Sequence, residues 1–366
     1  MKQLKVAILG QGRSGRDIHA ATLGRMGEKY KIEAIVEPLE KRRERAKKEY
    51  NCELYRDYTE LLCKSGEIDL VVNAAPSHFH VPVTLHLLNA GFNVLCEKPL
   101  AKTAAEVDTL TDAAQKNNKV LAIFQQSRFL DAYREIKRII DSGVLGRIIQ
   151  MSFRYNGFAR RWDWQTLQKY NAGSLYNTGP HPVDQIVTLL GYDAMPEVTC
   201  YMDRVNTFGD AEDYVKLIMK APNKPVVDLE ISSCDPYPKF TYSIQARYGG
   251  LSGDTSRLDY KYYIRETAPA RKLTREPIEH PDGTPAYCGE KLEWVEKTWK
   301  IGGGTENADS SYVPGAPPED PAINFYLMLY EHMTNNAPLE VTPAQVRRQI
   351  EIMEECHRQN PMSEIE

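Results

Sequence analysis

The first 125 residues alternate between short apolar runs and longer stretches in which apolar and polar positions mix. The apolar runs predict strands at residues 4–9, 31–36, 68–74, 92–96 and 120–124. The stretches between them predict helices at residues 16–26, 39–50, 59–64, 81–89 and 103–116. Strands that are apolar throughout indicate a parallel sheet covered by helices on both faces. The pattern therefore predicts an α/β fold with an N-terminal, doubly wound Rossmann sheet.

The pattern changes after residue 125, where the strand candidates alternate apolar and polar positions. These candidates lie at residues 148–155, 198–202, 214–219, 226–231 and 242–247, with helices at 133–142, 321–333 and 343–359. Such alternation indicates a mostly antiparallel sheet with one open face. Residues 249–321 are rich in glycine, proline and charge, and we expect long loops or an insertion with short strands there.

The chain is long enough for two hydrophobic cores. We expect a Rossmann domain at residues 1–125 and a C-terminal α/β domain at residues 126–366. The second domain would carry substrate binding and oligomerisation, and the C-terminal helix would pack back toward the first domain.

Three glycines, Gly10, Gly12 and Gly15, lie between the first predicted strand and the first predicted helix. This spacing is typical of a dinucleotide-binding turn: a tight bend, a close backbone approach to the ligand, and close packing of helix on strand. The N–H groups near Arg13 and Ser14, at the positive end of the helix dipole, would bind a pyrophosphate.

An acidic residue, Glu37, ends the second predicted strand, 22 residues after Gly15. A carboxylate at this position accepts hydrogen bonds from the adenosine ribose and repels a 2′-phosphate, which favours NAD over NADP. Arg42 and Arg43 lie about one helical turn further on and could reach a 2′-phosphate, so NADP stays open.

Two further stretches, Asn73–Thr103 and Gly173–Gly191, contain more specific motifs. With the glycine turn, they resemble the Gfo/Idh/MocA family of oxidoreductases, which includes glucose–fructose oxidoreductase and inositol dehydrogenase. The Glu97-Lys98-Pro99 tripeptide is the most specific of these signals. The resemblance covers residues 5–190 and the C-terminal helix pair, and it does not extend to residues 250–320.

The resemblance implies two catalytic residues. Lys98 would reach both the nicotinamide ribose and the substrate hydroxyl, and His181 would accept the proton of the carbinol being oxidised. It also implies a set of cofactor contacts, namely Pro76, Ser77, His80, Glu97 and Lys98. The chain departs from the family pattern at Ser77, where an asparagine is usual, and at Asn177, where the catalytic motif has an aspartate. Asn177 would hold a neighbouring hydroxyl, but it carries no charge with which to raise the basicity of His181.

The residue types themselves point to the same chemistry. Oxidation of a secondary alcohol needs a base for the O–H proton and a cation for the developing alkoxide. His181 and Lys98 fit these roles.

Further substrate contacts are expected from side-chain chemistry alone. Indole rings stack on sugar C–H faces and guanidinium groups bind hydroxyls, so Arg161, Trp162 and Trp164 are candidates. Packing is the alternative for the two tryptophans. Asp184 is a substrate candidate or a partner of a helix N-terminus.

We therefore expect an NAD(H)-dependent oxidoreductase that removes a hydride from a secondary hydroxyl of a sugar, glycoside or cyclic polyol. One alternative is a relative that retains its NAD and cleaves a glycoside through transient oxidation. Another is a dinucleotide-binding protein without catalytic activity.

Charge and composition exclude several other classes of function. The formal net charge is −4, with no broad basic field for nucleic acid and no apolar run long enough to span a membrane. The 7 cysteines are scattered, so neither a disulfide framework nor a metal site is expected. We expect a cytoplasmic homodimer or homotetramer that pairs through the open sheet face if that face is apolar.

Overall fold

The computed structural model describes residues 2–363 apart from 192, 272–273, 288, 308–311 and 314–318. Six described strands form the first sheet: β1 (Leu4–Leu9), β2 (Tyr30–Val36), β3 (Glu53–Tyr55), β4 (Leu70–Asn73), β5 (Val94–Cys96) and β6 (Leu121–Ile123). Their order is β3-β2-β1-β4-β5-β6, and every pair is parallel. The predicted Rossmann sheet is confirmed, with β3 as an additional short edge strand.

Helices connect these strands on both faces of the sheet. They are α1 (Ala21–Arg25), which continues a wider helical segment at Arg13–Ala20, then α2 (Glu40–Tyr50), α3 (His80–Asn89) and α4 (Ala104–Lys116). Thr103 caps α4, since its side chain accepts the N–H of Glu106 while the Glu106 carboxylate accepts the N–H of Thr103. Short 3₁₀ turns at Tyr58–Lys64 and Ser77–Phe79 complete the connections.

A second sheet follows, and it contains ten strands among the described residues. They are β7 (Ile148–Asn156), β8 (Glu197–Asp203), β9 (Tyr214–Lys220), β10 (Val226–Ser232), β11 (Tyr242–Ala246), β12 (Gly249–Gly253), β13 (Arg257–Tyr263), β14 (Trp294–Lys300), β15 (Gly304–Asn307) and β16 (Tyr312–Val313). Their order is β16-β15-β14-β13-β12-β11-β7-β10-β9-β8. The β7–β10 pair is parallel and the other pairs are antiparallel, as predicted.

The remaining helices pack on one face of this second sheet or against the Rossmann domain. They are α5 (Asp131–Asp141), α6 (Ser174–Asn177), α7 (Pro180–Leu190), α8 (Pro321–Asn335) and α9 (Pro343–Gln359). Arg347 of α9 forms an ion pair with Asp108 of α4 at 2.7 Å, and Glu354 accepts the N–H of Ala104 at 2.9 Å. The last helix thus lies directly on a Rossmann helix.

Of the two alternatives expected for residues 249–321, long loops or an insertion with short strands, the structure favours the second, since strands β12 to β16 lie there and extend the sheet. Gly249 and Gly253 explain the ambiguity, because a Cβ at either position would collide with the backbone of β13. The same glycines that suggest a loop in the sequence here permit a close strand pairing.

The outer face of the second sheet is charged along β7, β9 and β10. Arg154 contacts Asp228 at 3.2 Å and Glu230 at 2.9 Å, and Lys216 forms ion pairs with the same two carboxylates. Most apolar residues of these strands, such as Phe153, are buried, whereas Ile149, Ile218 and Val226 are exposed. The condition under which we expected pairing through this face, an apolar surface, is therefore not met by these strands.

Two further observations concern the described residues alone. None of their helices combines the length and apolar character needed to cross a membrane. Their six cysteines carry free thiols, and Cys288 lies outside the described part of the chain.

Candidate active site

The glycine turn lies where β1 meets the first helical segment. Gly10 adopts a φ of +90°, and a Cβ there would lie 2.7 Å from the carbonyl oxygen of Ala74. A Cβ at Gly15 would collide with the carbonyl oxygen of Gly10. A Cβ at Gly12, in contrast, would meet nothing within 4 Å. Two of the glycines therefore permit packing, and the middle one faces the open space that a bound phosphate group would occupy.

This turn borders a cavity of about 750 Å³ between the Rossmann sheet and helices α6 and α7. The predicted site residues that line it are Gly10, Gly12, Arg13, Ser14, Glu37, Arg42, Pro76, Ser77, His80, Glu97, Lys98, Trp164, Asn177 and His181. Gly15, Arg161, Trp162 and Asp184 do not line it. The structure thus brings the predicted cofactor turn and the predicted catalytic pair to one cavity.

Glu37 is buried at the end of β2, and its carboxylate is held by two backbone groups. It accepts the N–H of Gln11 at 2.8 Å and the N–H of Leu39 at 3.0 Å. Arg42 lies 3.5 Å from the same carboxylate. Since a carboxylate oxygen can accept more than one hydrogen bond, these contacts orient Glu37 and leave it able to bind hydroxyls.

Lys98 follows β5, and its ammonium group donates to the backbone carbonyl oxygen of Asn177 at 2.7 Å. Burial lowers the pKa of Lys98 from its ordinary value, and the charges of Arg13 and Arg161 act in the same direction. The neighbouring Glu97 carboxylate opposes this shift. Lys98 Nζ is therefore confined at the cavity wall beside one fixed carbonyl dipole.

The Glu97 carboxylate lies in a buried network that we did not predict. One oxygen lies 3.1 Å from His19 Nε2, the other accepts the N–H of Lys98 at 3.0 Å, and His19 Nδ1 lies 2.7 Å from the Tyr326 hydroxyl. Burial alone would raise the pKa of Glu97, but the hydrogen bond and charge of His19, together with Lys98, lower it to about 2. Glu97 thus supplies a fixed negative charge beside Lys98.

His181 lies near the start of α7. Its Nδ1 is buried and has no hydrogen-bond partner among the described residues. Burial, followed by the charge of Lys98, lowers the pKa of His181 to about 3. The imidazole is therefore neutral at physiological pH and can accept a proton.

Asn177 connects Lys98 to the rim of the cavity. Its side-chain oxygen accepts a hydrogen bond from Gln165 Nε2 at 2.9 Å, and Gln165 Oε1 accepts one from Arg161 at 2.6 Å. Arg161 also pairs with Asp163 at 2.8 Å. Arg161 therefore acts on the cavity through Gln165, a residue that sequence reasoning did not single out.

Besides Arg161, two predicted substrate residues do not line the cavity. Asp184 is fully buried and forms a bidentate ion pair with Arg128, with distances of 2.6 and 2.7 Å. Arg128 also donates to Gln345 on α9 at 2.8 Å. We therefore assign Asp184 to the packing of α7 and α9 instead of substrate binding. Trp162 lies on the surface with 78% of its area exposed, beyond the lining residues.

His80 lies at the loop after β4, and both of its ring nitrogens contact backbone carbonyl oxygens. Its Nδ1 lies 2.6 Å from the carbonyl oxygen of Pro99, and its Nε2 lies 2.9 Å from that of Ala75. Burial lowers the pKa of His80. The ring thus holds the loop containing Pro76 and Ser77 against the Glu97-Lys98-Pro99 segment.

Family models match two consecutive parts of the chain. A model described as an oxidoreductase family with an NAD-binding Rossmann fold matches residues 4–125, and the GFO/IDH/MocA C-terminal domain matches residues 133–252. The chain belongs to the GFO/IDH/MocA oxidoreductase family.

Individual relatives agree with this assignment. An uncharacterised oxidoreductase of Schizosaccharomyces pombe is 33% identical over 195 residues, which are 52% of this chain and only 53% of the relative's length. The scyllo-inositol 2-dehydrogenase (NADP(+)) of Bacillus subtilis is 26% identical over 356 residues, 96% of this chain and 92% of the relative. The WlbA dehydrogenase of Bordetella pertussis, solved with NADH and UDP-GlcNAcA, shares the fold with a TM-score of 0.73 at 15% identity, covering 100% of this chain and 99% of that one.

Proposed function

We propose that the protein is an NAD-dependent dehydrogenase that oxidises a secondary hydroxyl of a sugar, glycoside or cyclic polyol. The observation that carries this proposal is the single cavity lined by the glycine turn, Lys98 and His181. The inositol dehydrogenase among the relatives supports a cyclic polyol, and the WlbA complex supports a sugar.

Three side chains of the protein would act on the substrate, each in a different role. His181, neutral because its pKa is about 3, accepts the hydroxyl proton. Lys98 stabilises the negative charge that develops on the oxygen. Asn177, oriented by Gln165, would hold a neighbouring hydroxyl. The bound nicotinamide supplies the hydride acceptor, and the open space at Gly12 fits its diphosphate.

The cavity rim is suited to a carbohydrate ring. Trp164 lines the cavity with 40% of its area exposed, and the exposed Trp162 lies two positions before it in the chain. Trp162 contacts Phe208 edge to face with ring centres 6.3 Å apart. The indole face of Trp164 would stack on sugar C–H groups, and Arg161, held between Asp163 and Gln165, would bind hydroxyls at the rim.

The net reaction is tested by cofactor stoichiometry. The purified protein is incubated with NAD⁺ and a panel of sugars, glycosides and cyclic polyols while NADH fluorescence is recorded. A dehydrogenase accumulates one NADH for each ketone formed. A glycoside-cleaving enzyme that retains its cofactor would release an aglycone with no NADH, and a non-catalytic binding protein would do neither.

The position of Glu37 makes NAD the preferred cofactor in this proposal. We expect Glu37→Ser to reduce the preference for NADH over NADPH by about 10- to 100-fold, since a hydrogen bond to a charged group contributes about 1.5–3 kcal/mol. Fluorescence titration of both reduced cofactors measures the ratio of dissociation constants. Glu40→Ser, an exposed carboxylate on α2, is the matched control. An unchanged ratio in Glu37→Ser would contradict the assignment.

We also propose a homo-oligomer that pairs through the β11–β14 part of the outer face of the second sheet, which carries aromatic residues, and not through the charged surface of β7, β9 and β10. A groove of about 960 Å³ crosses β11 to β14 on this sheet, and Tyr248, Tyr263 and Trp294 are among its lining residues. Ion pairs such as Arg257 with Asp259 at 2.8 Å lie beside these aromatics. Sedimentation velocity at micromolar concentration is expected to give a dimer or tetramer, and a monomer would contradict this proposal.

A further inference from the structure

Glu212 is a buried carboxylate that the proposed reaction does not use. It lies in the segment before β9, with 3% of its area exposed. One carboxylate oxygen accepts the N–H of Leu175 at 2.8 Å, and its backbone carbonyl accepts the N–H of Ser174 at 2.9 Å. Glu212 therefore binds two successive N–H groups at the beginning of α6.

The turn before α6 is shaped around this carboxylate. Gly173 adopts a φ of +116°, and a Cβ at that position would collide with both carboxylate oxygens of Glu212. Glycine is thus required at residue 173 for two reasons, its backbone angle and the space that the carboxylate fills.

A short chain of hydrogen bonds leads from this turn to Lys98. The carbonyl oxygen of Gly173 accepts the N–H of Asn177 at 2.8 Å, and the carbonyl oxygen of Asn177 accepts the Lys98 ammonium at 2.7 Å. Gln165 joins both ends of the turn, since its backbone oxygen accepts the N–H of Gly173 at 3.1 Å and its side chain donates to Asn177. A shift of the Gly173 turn would therefore move the carbonyl that holds Lys98.

We propose that Glu212 is a positioning residue for Lys98, which holds the α6 turn in place when ionised and relaxes it when protonated. An ionised acceptor makes a stronger hydrogen bond to an N–H group than a neutral one. The consequence for catalysis rests on the proposed function, whereas the consequence for the Lys98 environment does not.

Because Glu212 is buried, its carboxylate changes protonation state within the physiological pH range. Burial raises the pKa of Glu212 to about 7, with a smaller contribution from Asp213, against the opposing effect of the Leu175 N–H. The described titratable groups that interact with it are Asp213, on its own segment, and Tyr176 on α6. His181, with a pKa of about 3, does not titrate near neutrality. We therefore expect an acid limb near pH 7 that belongs to Glu212.

The first experiment compares pH profiles of the full-length protein with a polyol that it oxidises. We expect wild-type kcat to fall about 3- to 10-fold between pH 8 and pH 6, the effect of weakening one charge-assisted hydrogen bond. Glu212→Gln is expected to give a flat profile at the lower level, and Asp210→Asn, another buried carboxyl on the same segment, to keep the wild-type profile. An acid limb that persists in Glu212→Gln would overturn the proposal.

A second experiment reads the position of Lys98 without any turnover. At pH 8, trace acetic anhydride labels Lys98 and the exposed Lys102, and mass spectrometry gives the ratio of their labelling. We expect this ratio to rise about 3- to 10-fold in Glu212→Gln, because the weakened turn exposes the Lys98 amine. An unchanged ratio overturns the positioning role even if no polyol is oxidised, and a changed ratio without turnover overturns only the proposed function.

Thermal unfolding tests whether Glu212→Gln is folded and whether the pKa of Glu212 is raised in the folded protein. A carboxyl whose pKa is raised on folding contributes stability below its unfolded pKa of about 4.5, and that stability is lost as pH rises through about 7. Glu212→Gln imitates the protonated form. Its Tm is expected to match the wild type at pH 5 and to exceed it by about 2 °C at pH 8. Equal Tm values at both pH values would contradict the raised pKa.

Discussion

Replacing Lys98 with methionine is expected to lower kcat about 10²- to 10³-fold while leaving NADH affinity within about 3-fold of the wild type. The ammonium group is the cation that we assign to the developing alkoxide, and removal of one such charge-stabilising donor costs about this much in rate. Methionine keeps the length and apolar contacts of the lysine stem. Steady-state kinetics at saturating NAD⁺, with a fluorescence titration of NADH, measures the two quantities separately.

The matched control for this variant is Lys102→Met. Lys102 lies four positions later in the chain and is exposed. Its replacement should change neither quantity. A kcat for Lys98→Met within a few-fold of the wild type would remove Lys98 from the reaction, whatever happened to cofactor affinity.

Replacing His181 with asparagine is expected to lower kcat about 10²- to 10⁴-fold, the second large effect. A general base usually contributes a factor of this size. Asparagine is similar in size but cannot take a proton near neutrality. Because the pKa of His181 is about 3, the wild-type base stays neutral above about pH 4, so this loss should be similar at pH 6 and pH 8. Stopped-flow measurement of NADH formation at both pH values tests this.

The control is His86→Asn, an exposed histidine on α3 that pairs with Tyr58. It should retain wild-type rates. If His181→Asn kept more than about a tenth of the wild-type rate at both pH values, another group would have to be the proton acceptor.

These two residues are also coupled electrostatically. The charge of Lys98 is the second cause of the low pKa of His181. Lys98→Met should therefore raise the pKa of His181 as well as slow the reaction. The two variants should not be additive, since residues that act on the same atoms share one transition state.

Much of the fold could be predicted because its signals are local. Apolar runs identify buried parallel strands, and Thr103 with Glu106 marks the start of α4 from spacing alone. The glycine turn was predictable for the same reason. Strands β12 to β16 were harder to predict. Gly249 and Gly253 are typical of a loop in the sequence, and only the pairing of β12 with β13 shows that the two positions need glycine.

The candidate site was predictable only as far as its motifs extend. Lys98 and His181 come from sequence patterns, but Asp184 illustrates the limit, since its partner Arg128 lies 56 positions away in the chain. The His19–Glu97 contact and the Glu212 turn are likewise made between distant segments. A histidine four positions after Gly15, on the face of the helix that the glycines bring close to the sheet, is the one local signal that could have indicated this network.

The central claim is that one ammonium and one imidazole act on a single hydroxyl group. It is tested most directly by a crystal structure of the protein with NADH and a polyol that it oxidises, a combination that cannot react. We expect Lys98 Nζ and a ring nitrogen of His181 both to lie within about 3.2 Å of the same hydroxyl oxygen. Contacts from the two side chains to different hydroxyls, or from only one of them to the bound polyol, would contradict the account.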